Sequence, residues 1–121
     1  MELDFVKSVY DKRGRIFFCK YGDLSVNIVE TKKGFSRGGH FHKFPSTHFL
    51  LKGNIDFKTF DLTLNRERIC QFSAPCEISV DANIAHLLSA KTETVFIEFF
   101  NKEYSAIDFP LYRNLIEKQL N

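Results

Sequence analysis

The chain has no tryptophan, one methionine and only three prolines among its 121 residues. Its three cysteines, Cys19, Cys70 and Cys76, are odd in number and form no C-x-x-C pair. That argues against a disulfide framework or a structural zinc site, and leaves buried thiols in a reducing cytoplasm as the expectation. No apolar run approaches the ~20 residues of a membrane span. The opening Met1-Glu2-Leu3-Asp4 does not read as a signal peptide. A cytoplasmic protein without a membrane partner is expected. Charge of one sign is also scarce. A net charge of +2 is too small to argue for nucleic acid or an anionic membrane surface. There is no internal repeat, linker or low-complexity stretch.

What the chain does have is phenylalanine, with 14 copies. Phenylalanine suits a pleated, half-buried surface and tilts the reading toward an all-β core. With 44% hydrophobic and 26% charged residues the composition is that of an ordinary globular chain, so disorder is not expected. The length suits one domain over residues 1–121, able to bury a core without staples.

Short strand-like segments recur between turns. They are Arg15 to Cys19, Leu24 to Glu30, Thr47 to Leu51, Ile55 to Leu64, Arg68 to Phe72, Ile78 to Val80 and Thr94 to Phe100. In the second, Leu24, Val26 and Ile28 share a face; in the fourth, Phe60, Leu62 and Leu64 do. Gly53-Asn54 reads as a turn, and Asn83 as a residue able to take a positive φ. One helix is expected at the end, over about 110–120. Pro110 would sit in its first turn, with Asp108 near enough to cap it. Leu111, Leu115 and Ile116, widened by Tyr112 and Leu120, give it an apolar stripe for the outside of a barrel or for a partner subunit.

All four histidines fall in two stretches. One runs from Gly34 to Gly53 and holds His40, His42 and His48; the other, Asp81 to His86, holds the fourth. Residues two apart on a strand share a face, so His40 and His42 point together, and so do Ser46 and His48. Imidazoles converging on an interior suit a metal site. They equally suit proton transfer, because histidine titrates near neutral pH.

These residues resemble the cupins. In the first cupin motif a glycine precedes a His-x-His pair, and a glutamate and a second glycine follow. Gly34, His40, His42 and Gly53 fit it, while the glutamate position falls on Ser46. Of the second motif His86 matches; Asp81, Asn83 and Ala90 take its proline, glycine and asparagine positions. The resemblance implies an all-β, double-stranded β-helix, a jelly-roll barrel over about 11–104 with a short C-terminal α-helix. A closer resemblance is to the nucleotide-sugar cupins, the dTDP-4-dehydrorhamnose 3,5-epimerases and dTDP-sugar 3,4-ketoisomerases. Asp11-Lys12-Arg13-Gly14 looks like their opening, Arg37 to Lys43 like the ketoisomerase run, and Glu103-Tyr104-Ser105 like the segment after the last barrel strand.

That resemblance implies an isomerase or epimerase acting on a 4-keto dTDP- or UDP-sugar, with no cofactor and as a homodimer. His40 would be the base and His42 its partner. Glu98, standing where the epimerases carry a tyrosine acid, would return a proton if burial raises its pKa. Arg37 and Lys43 would meet the diphosphate, with Ser46, His48 and His86 lining the substrate. A second reading is a metal cupin in which His40, His42 and His86 bind a divalent ion and His48 replaces the missing carboxylate. Imidazole suits Zn, Fe, Cu or Ni, so that reading names no metal. A third is a pocket that binds a sugar or small acid without turnover.

Overall fold

Alternating and β-branched segments separated by glycine turns build this molecule almost entirely from antiparallel strands. The structure is a computed structural model that describes residues 2–100 and 105–121. Its strands are β1 (Leu3–Asp11), β2 (Gly14–Tyr21), β3 (Leu24–Thr31), β4 (Ser36–Phe41), β5 (Ser46–Lys52) and β6 (Asn54–Asp61). They continue with β7 (Arg66–Ser73), β8 (Cys76–Val80), β9 (Ile84–Ala90), β10 (Thr94–Phe100) and β11 (Ile107–Asp108), and helix α1 (Pro110–Leu120) closes the chain. One sheet runs β1-β2-β3-β10-β5-β8, the other β11-β4-β9-β6-β7. The all-β expectation and the terminal helix both hold.

The interior is divided along the strand direction. Toward one end Val29, Leu50, Ile55, Phe57, Leu88 and Phe96 form an apolar core, which Ile78 and Val80 extend along β8 beside His48 and Ser46. One step along the same strands, the inward row of the larger sheet turns polar. Asn27, Glu98 and His48 stand side by side on β3, β10 and β5. This polar row faces the histidines of β4 and β9.

Several local expectations change. On β3 the face holding Leu24, Val26 and Ile28 is the outer one, and Ser25, Asn27, Val29 and Thr31 are the buried set. The strand expected to reach Leu64 stops at Asp61, whose Oδ1 accepts hydrogen bonds from the backbone N–H groups of Thr63 and Leu64. This local turn leaves Leu62 and Leu64 exposed instead of on a strand face. Strand β1 was not expected, because it is exposed on both faces and shows no clean alternation. Strand β9 was missed for the opposite reason: both its faces are covered, so Ile84 to Ala90 reads as continuous apolar sequence around His86.

Helix α1 begins at Pro110 as expected, but Phe109 occupies the N-cap and no side chain caps it. Asp108 is instead part of β11, paired with His40 on β4. Of the expected stripe, Tyr112 and Ile116 are buried, while Leu111 and Leu115 lie exposed. The buried pair packs with Ala85 and Leu87 on the outer side of the five-stranded sheet.

Candidate metal centre and ligand cavity

Strand β4 delivers its side chains through an irregularity. Arg37 opposes Leu88 and His40 opposes His86, yet the two are three residues apart, which on a regular strand would set them on opposite faces. The register shifts between Gly38 and His40, inserting one extra residue. Both glycines have left-handed backbones, with φ of 98° and 77°. This β-bulge turns Arg37 and His40 to the same interior. A side chain at Gly38 would also strike the backbone carbonyl of His86, its Cβ lying 2.7 Å from that oxygen.

Three of the four histidines meet. His40, His42 and His86 each present a ring nitrogen, and these atoms lie within 4.8 Å of one another. The rings of His40 and His86 are edge-on at 5.0 Å between centroids, and those of His40 and His42 are 4.8 Å apart. His42 Nδ1 lies 2.7 Å from the carbonyl oxygen of Ser105. With the N–H on Nδ1 donating there, Nε2 keeps its lone pair for the cluster. Phe44 stacks on the His42 ring at 4.8 Å. Burial, and then the neighbouring His42, hold His40 at about 4. Burial, and then His48 and His40, hold His86 well below its ordinary value. At neutral pH both are uncharged imidazoles.

The His48 ring lies edge-on to His86 at 5.4 Å between centroids, but its Nε2 is directed at Glu98 and not at the trio. That nitrogen lies 3.3 Å from Glu98 Oε2, and Asn27 Nδ2 donates to Glu98 Oε1 at 3.0 Å. Burial pushes the Glu98 carboxyl up, but the His48 hydrogen bond and charge, then the Asn27 amide, outweigh it and hold the group at about 2. The expectation that burial would make Glu98 a proton donor therefore fails: it is a permanent carboxylate. His48 is likewise the contact partner of Glu98 and does not present its Nε2 to the trio. Its Nδ1 is buried without a hydrogen-bond partner among the described residues, as is Ser46 Oγ.

The trio opens on a cavity of about 590 Å³, lined by His40, His48, His86 and Glu98 with Arg13, Arg37 and Arg113. Arg13 is tied to Asp11 through two carboxylate oxygens, the shortest bond at 2.7 Å, and to the Ser36 carbonyl. The Arg13 hydrogen bond holds Asp11 below its usual range. Arg37 is buried, donating to the Glu30 carbonyl at 2.7 Å and the Thr31 hydroxyl at 3.3 Å. Burial and then Arg13 lower it to about 10, so it stays charged at neutral pH. Arg113, from α1, donates to the Gly38 carbonyl at 3.3 Å.

Of the residues expected at a site, His40, His86, His48, Arg37 and Glu98 line this cavity, and His42 joins from behind. Lys43 is exposed and lines none of it, because it follows His42 on a turn that faces solvent. Ser46 is buried on β5 but is not in the lining. Asn27 and Arg113 were not foreseen as site residues. Asn27 left one usable signal, a polar side chain on the inward period of β3; Arg113, on a terminal helix, left none. Glu103 and Tyr104 lie outside the described residues. A second cavity of similar volume sits between the free edges of β7 and β8, and no histidine lines it.

No protein-family model and no curated protein sequence matches this chain. Solved structures do. The Staphylococcus aureus capsular polysaccharide assembling protein CapF superposes with a TM-score of 0.71 at 18% identity, over 84% of this chain and 31% of that one. Bacillus subtilis oxalate decarboxylase, from a study of its Mn(II) centres, gives 0.75 at 15%, over 85% and 30%. Both are cupin-fold proteins. The chain has the cupin fold. A formate complex of Lactobacillus farciminis oxalate decarboxylase also matches this chain, with a TM-score of 0.74 at 19% identity, over 84% and 33%. The chain spans about a third of each matched protein, and identities this low establish its fold alone.

Proposed function

We propose that this cupin binds a divalent metal ion through His40, His42 and His86 and uses it on a small anionic ligand held in the adjoining cavity. The observation that carries the reading is the convergence of three ring nitrogens within 4.8 Å, on residues drawn from two strands and a turn. The donor set fits a metal. A metal ligand must be unprotonated, and burial keeps His40 and His86 so at neutral pH. The Ser105 carbonyl, by holding His42 Nδ1, fixes which nitrogen that ring presents. Imidazole donors suit Zn, Fe, Cu or Ni, and such an ion would supply Lewis acidity to a ligand oxygen.

The chain's own residues supply the rest. Arg37 and Arg113 bring positive charge to the cavity wall, matching a carboxylate or phosphate. The Glu98 carboxylate stands beside the trio and, through its contact with His48 Nε2, orients that ring.

A second reading, proton-transfer isomerisation of a nucleotide sugar, draws support from the arginines and from the likeness to CapF, a protein named for capsular polysaccharide assembly. In it His40 is the base and the acid must come from a group other than Glu98.

The test is metal content by mass spectrometry of untagged protein, followed by a thermal-shift panel of carboxylates, phosphate and dTDP or UDP with and without EDTA. Near-stoichiometric metal and an EDTA-sensitive response to small anions are expected. Absence of metal after reconstitution with each candidate ion, together with a nucleotide response indifferent to EDTA, rejects the metal reading in favour of the isomerase.

A further inference from the structure

The inner face of the β6–β7 hairpin changes character along its length. Ile55 and Phe57 of β6 belong to the apolar core, and residues paired directly opposite one another share a face. The inward row of β7 is therefore Phe72, Cys70, Arg68 and Arg66, opposite Ile55, Phe57, Thr59 and Asp61. The outward row agrees: Glu67 accepts a hydrogen bond from the Tyr112 hydroxyl of α1 at 2.9 Å, and Phe60 packs on Phe109. Two arginines thus face into the sandwich from an edge strand. Among the described residues neither guanidinium has an ion pair or a hydrogen bond. Asp61, opposite Arg66, gives its Oδ1 to the backbone N–H groups of Thr63 and Leu64 instead.

These side chains line the second cavity, whose volume of about 590 Å³ falls within the about 300–1,000 Å³ of small-molecule sites. Its floor is apolar: Phe57, Ile78 and Val80 are buried, and Phe72 and Ile84 half-buried. Leu64, 65% exposed, stands at the mouth. The two cavities share no lining residue. Phe57 parts them, its ring centroid 6.1 Å from that of Phe72 and 6.2 Å from that of His86.

We propose that this cavity is a second binding site, separate from the histidine centre, for a small amphipathic carboxylate: its head at Arg68 with Arg66 beside it, its apolar body over Phe57, Phe72 and Ile84. A guanidinium matches a carboxylate with two parallel hydrogen bonds. Arg68 is the better placed of the pair, because it stands opposite the neutral Thr59, whereas Arg66 stands opposite Asp61. Asp81 also lines the cavity, so the charge of the lining balances and recognition rests on where the arginines stand. Arg68 and Phe72 are four residues apart on one strand, about 13 Å, which separates a polar head from a tail of medium length. A short anion would satisfy the arginines and leave Phe72, Ile84 and Leu64 wet. A neutral apolar molecule would cover those three and leave both charges unpaired. Inward charge on an edge strand also discourages pairing with other sheets, but that role calls for neither a cavity nor an apolar floor. The site uses none of the three clustered histidines, so it stands or falls independently of the metal reading.

The experiment is isothermal titration of the full chain with decanoate, decanol and acetate. Saturable binding of decanoate is expected, with decanol and acetate each weaker by about tenfold or more. Arg68→Gln should weaken decanoate by about tenfold or more, and Arg66→Gln by less. Both arginines are exposed, so neither substitution disturbs the core. A second measurement needs no substitution. Cys70 is exposed and lines this cavity, while Cys76 lies outside it. Decanoate should slow alkylation of Cys70 by N-ethylmaleimide severalfold, read by peptide mass spectrometry, and leave the rate at Cys76 unchanged. No saturable binding of decanoate, or decanol bound as tightly as decanoate, overturns the proposal. So does decanoate that binds Arg68→Gln undiminished and leaves Cys70 unprotected, because the ligand then sits elsewhere.

Discussion

His40 and His86 oppose each other directly across β4 and β9, their rings edge-on with centroids 5.0 Å apart. The residues are distant in sequence, and the β-bulge at Gly38-Gly39 brings them onto one inward row. Four expectations follow from this pairing and its surroundings.

Replacing His86 with alanine removes one of three donors. Metal affinity should fall by more than the about 10- to 100-fold that follows loss of a supporting hydrogen bond at such a site. Isothermal titration with Mn(II) or Zn(II) measures it. An unchanged affinity would show that the trio is not the binding site. His48→Ala should cost far less, because His48 is engaged by Glu98 and lies outside the trio.

The metal-free protein should lose stability on acidification in two stages. His40 is held at about 4 when folded against an ordinary value of 6.5, and His86 is lowered too. In that window the unfolded chain binds protons that the folded chain does not. Stability is therefore complete above about pH 6.5 and declines as pH falls toward 4, with a slope of about 1.4 kcal/mol per pH unit for each such group. Glu98, held at about 2 against 4.5, adds a second loss in the same direction between those values. Melting temperature against pH, with EDTA present, checks both stages. A curve flat from pH 7 to 5 would contradict the burial of neutral imidazoles.

Gly38→Ala should damage the site more than its size suggests. Gly38 has φ of 98°, and an added Cβ lies 2.7 Å from the His86 carbonyl oxygen, a backbone atom that cannot step aside alone. A cost of about 1–3 kcal/mol is expected from the strained backbone. Strand β9 must also shift, so the His40–His86 spacing is lost and metal affinity falls with stability. Urea unfolding and metal titration of the same sample separate the two effects.

Ile116→Ala should release α1 from the five-stranded sheet. Ile116 is wholly buried and its Cδ1 approaches the space at Gly39. Truncating it should cost about 2–5 kcal/mol. Arg113 sits on the same helix, so the stabilisation given by small anions should shrink as well, while metal affinity is retained. Thermal melts with and without added carboxylate are the readout. Loss of metal affinity in a folded Ile116→Ala protein would mean that the helix supports the trio itself.

Much of the fold was legible because short apolar or alternating runs stand between turn residues. Leu24 to Glu30 alternates, and the segments around 15–19, 47–51 and 94–100 read as strands by their length and residue type. Strands β1 and β9 escaped because one is exposed on both faces and the other covered on both, so neither alternates. On β3 the alternation was visible but its sense inverted. The apolar face was the outer one, since the inner face carries Asn27 toward Glu98. Strand period alone does not say which side is in.

For the candidate site, residue type and spacing selected His40, His42 and His86 correctly as a converging group. They could not assign His48, which has the same spacing from Ser46 that His42 has from His40. Nor could they give the ionisation of Glu98. Burial raises a carboxyl and a hydrogen-bonded imidazole lowers it, and their balance depends on distances that no linear pattern holds.

The sequence by itself determined the strand-rich architecture, the terminal helix starting at Pro110 and the set of imidazoles, because alternation, proline geometry and residue chemistry are local properties. The tertiary structure alone decided which histidines meet, that Glu98 is held as an anion and that Arg113 reaches the cavity. Each of these is a relation between residues far apart in the chain. It is fixed by sheet register and by the single extra residue in β4, and neither is written in any one segment.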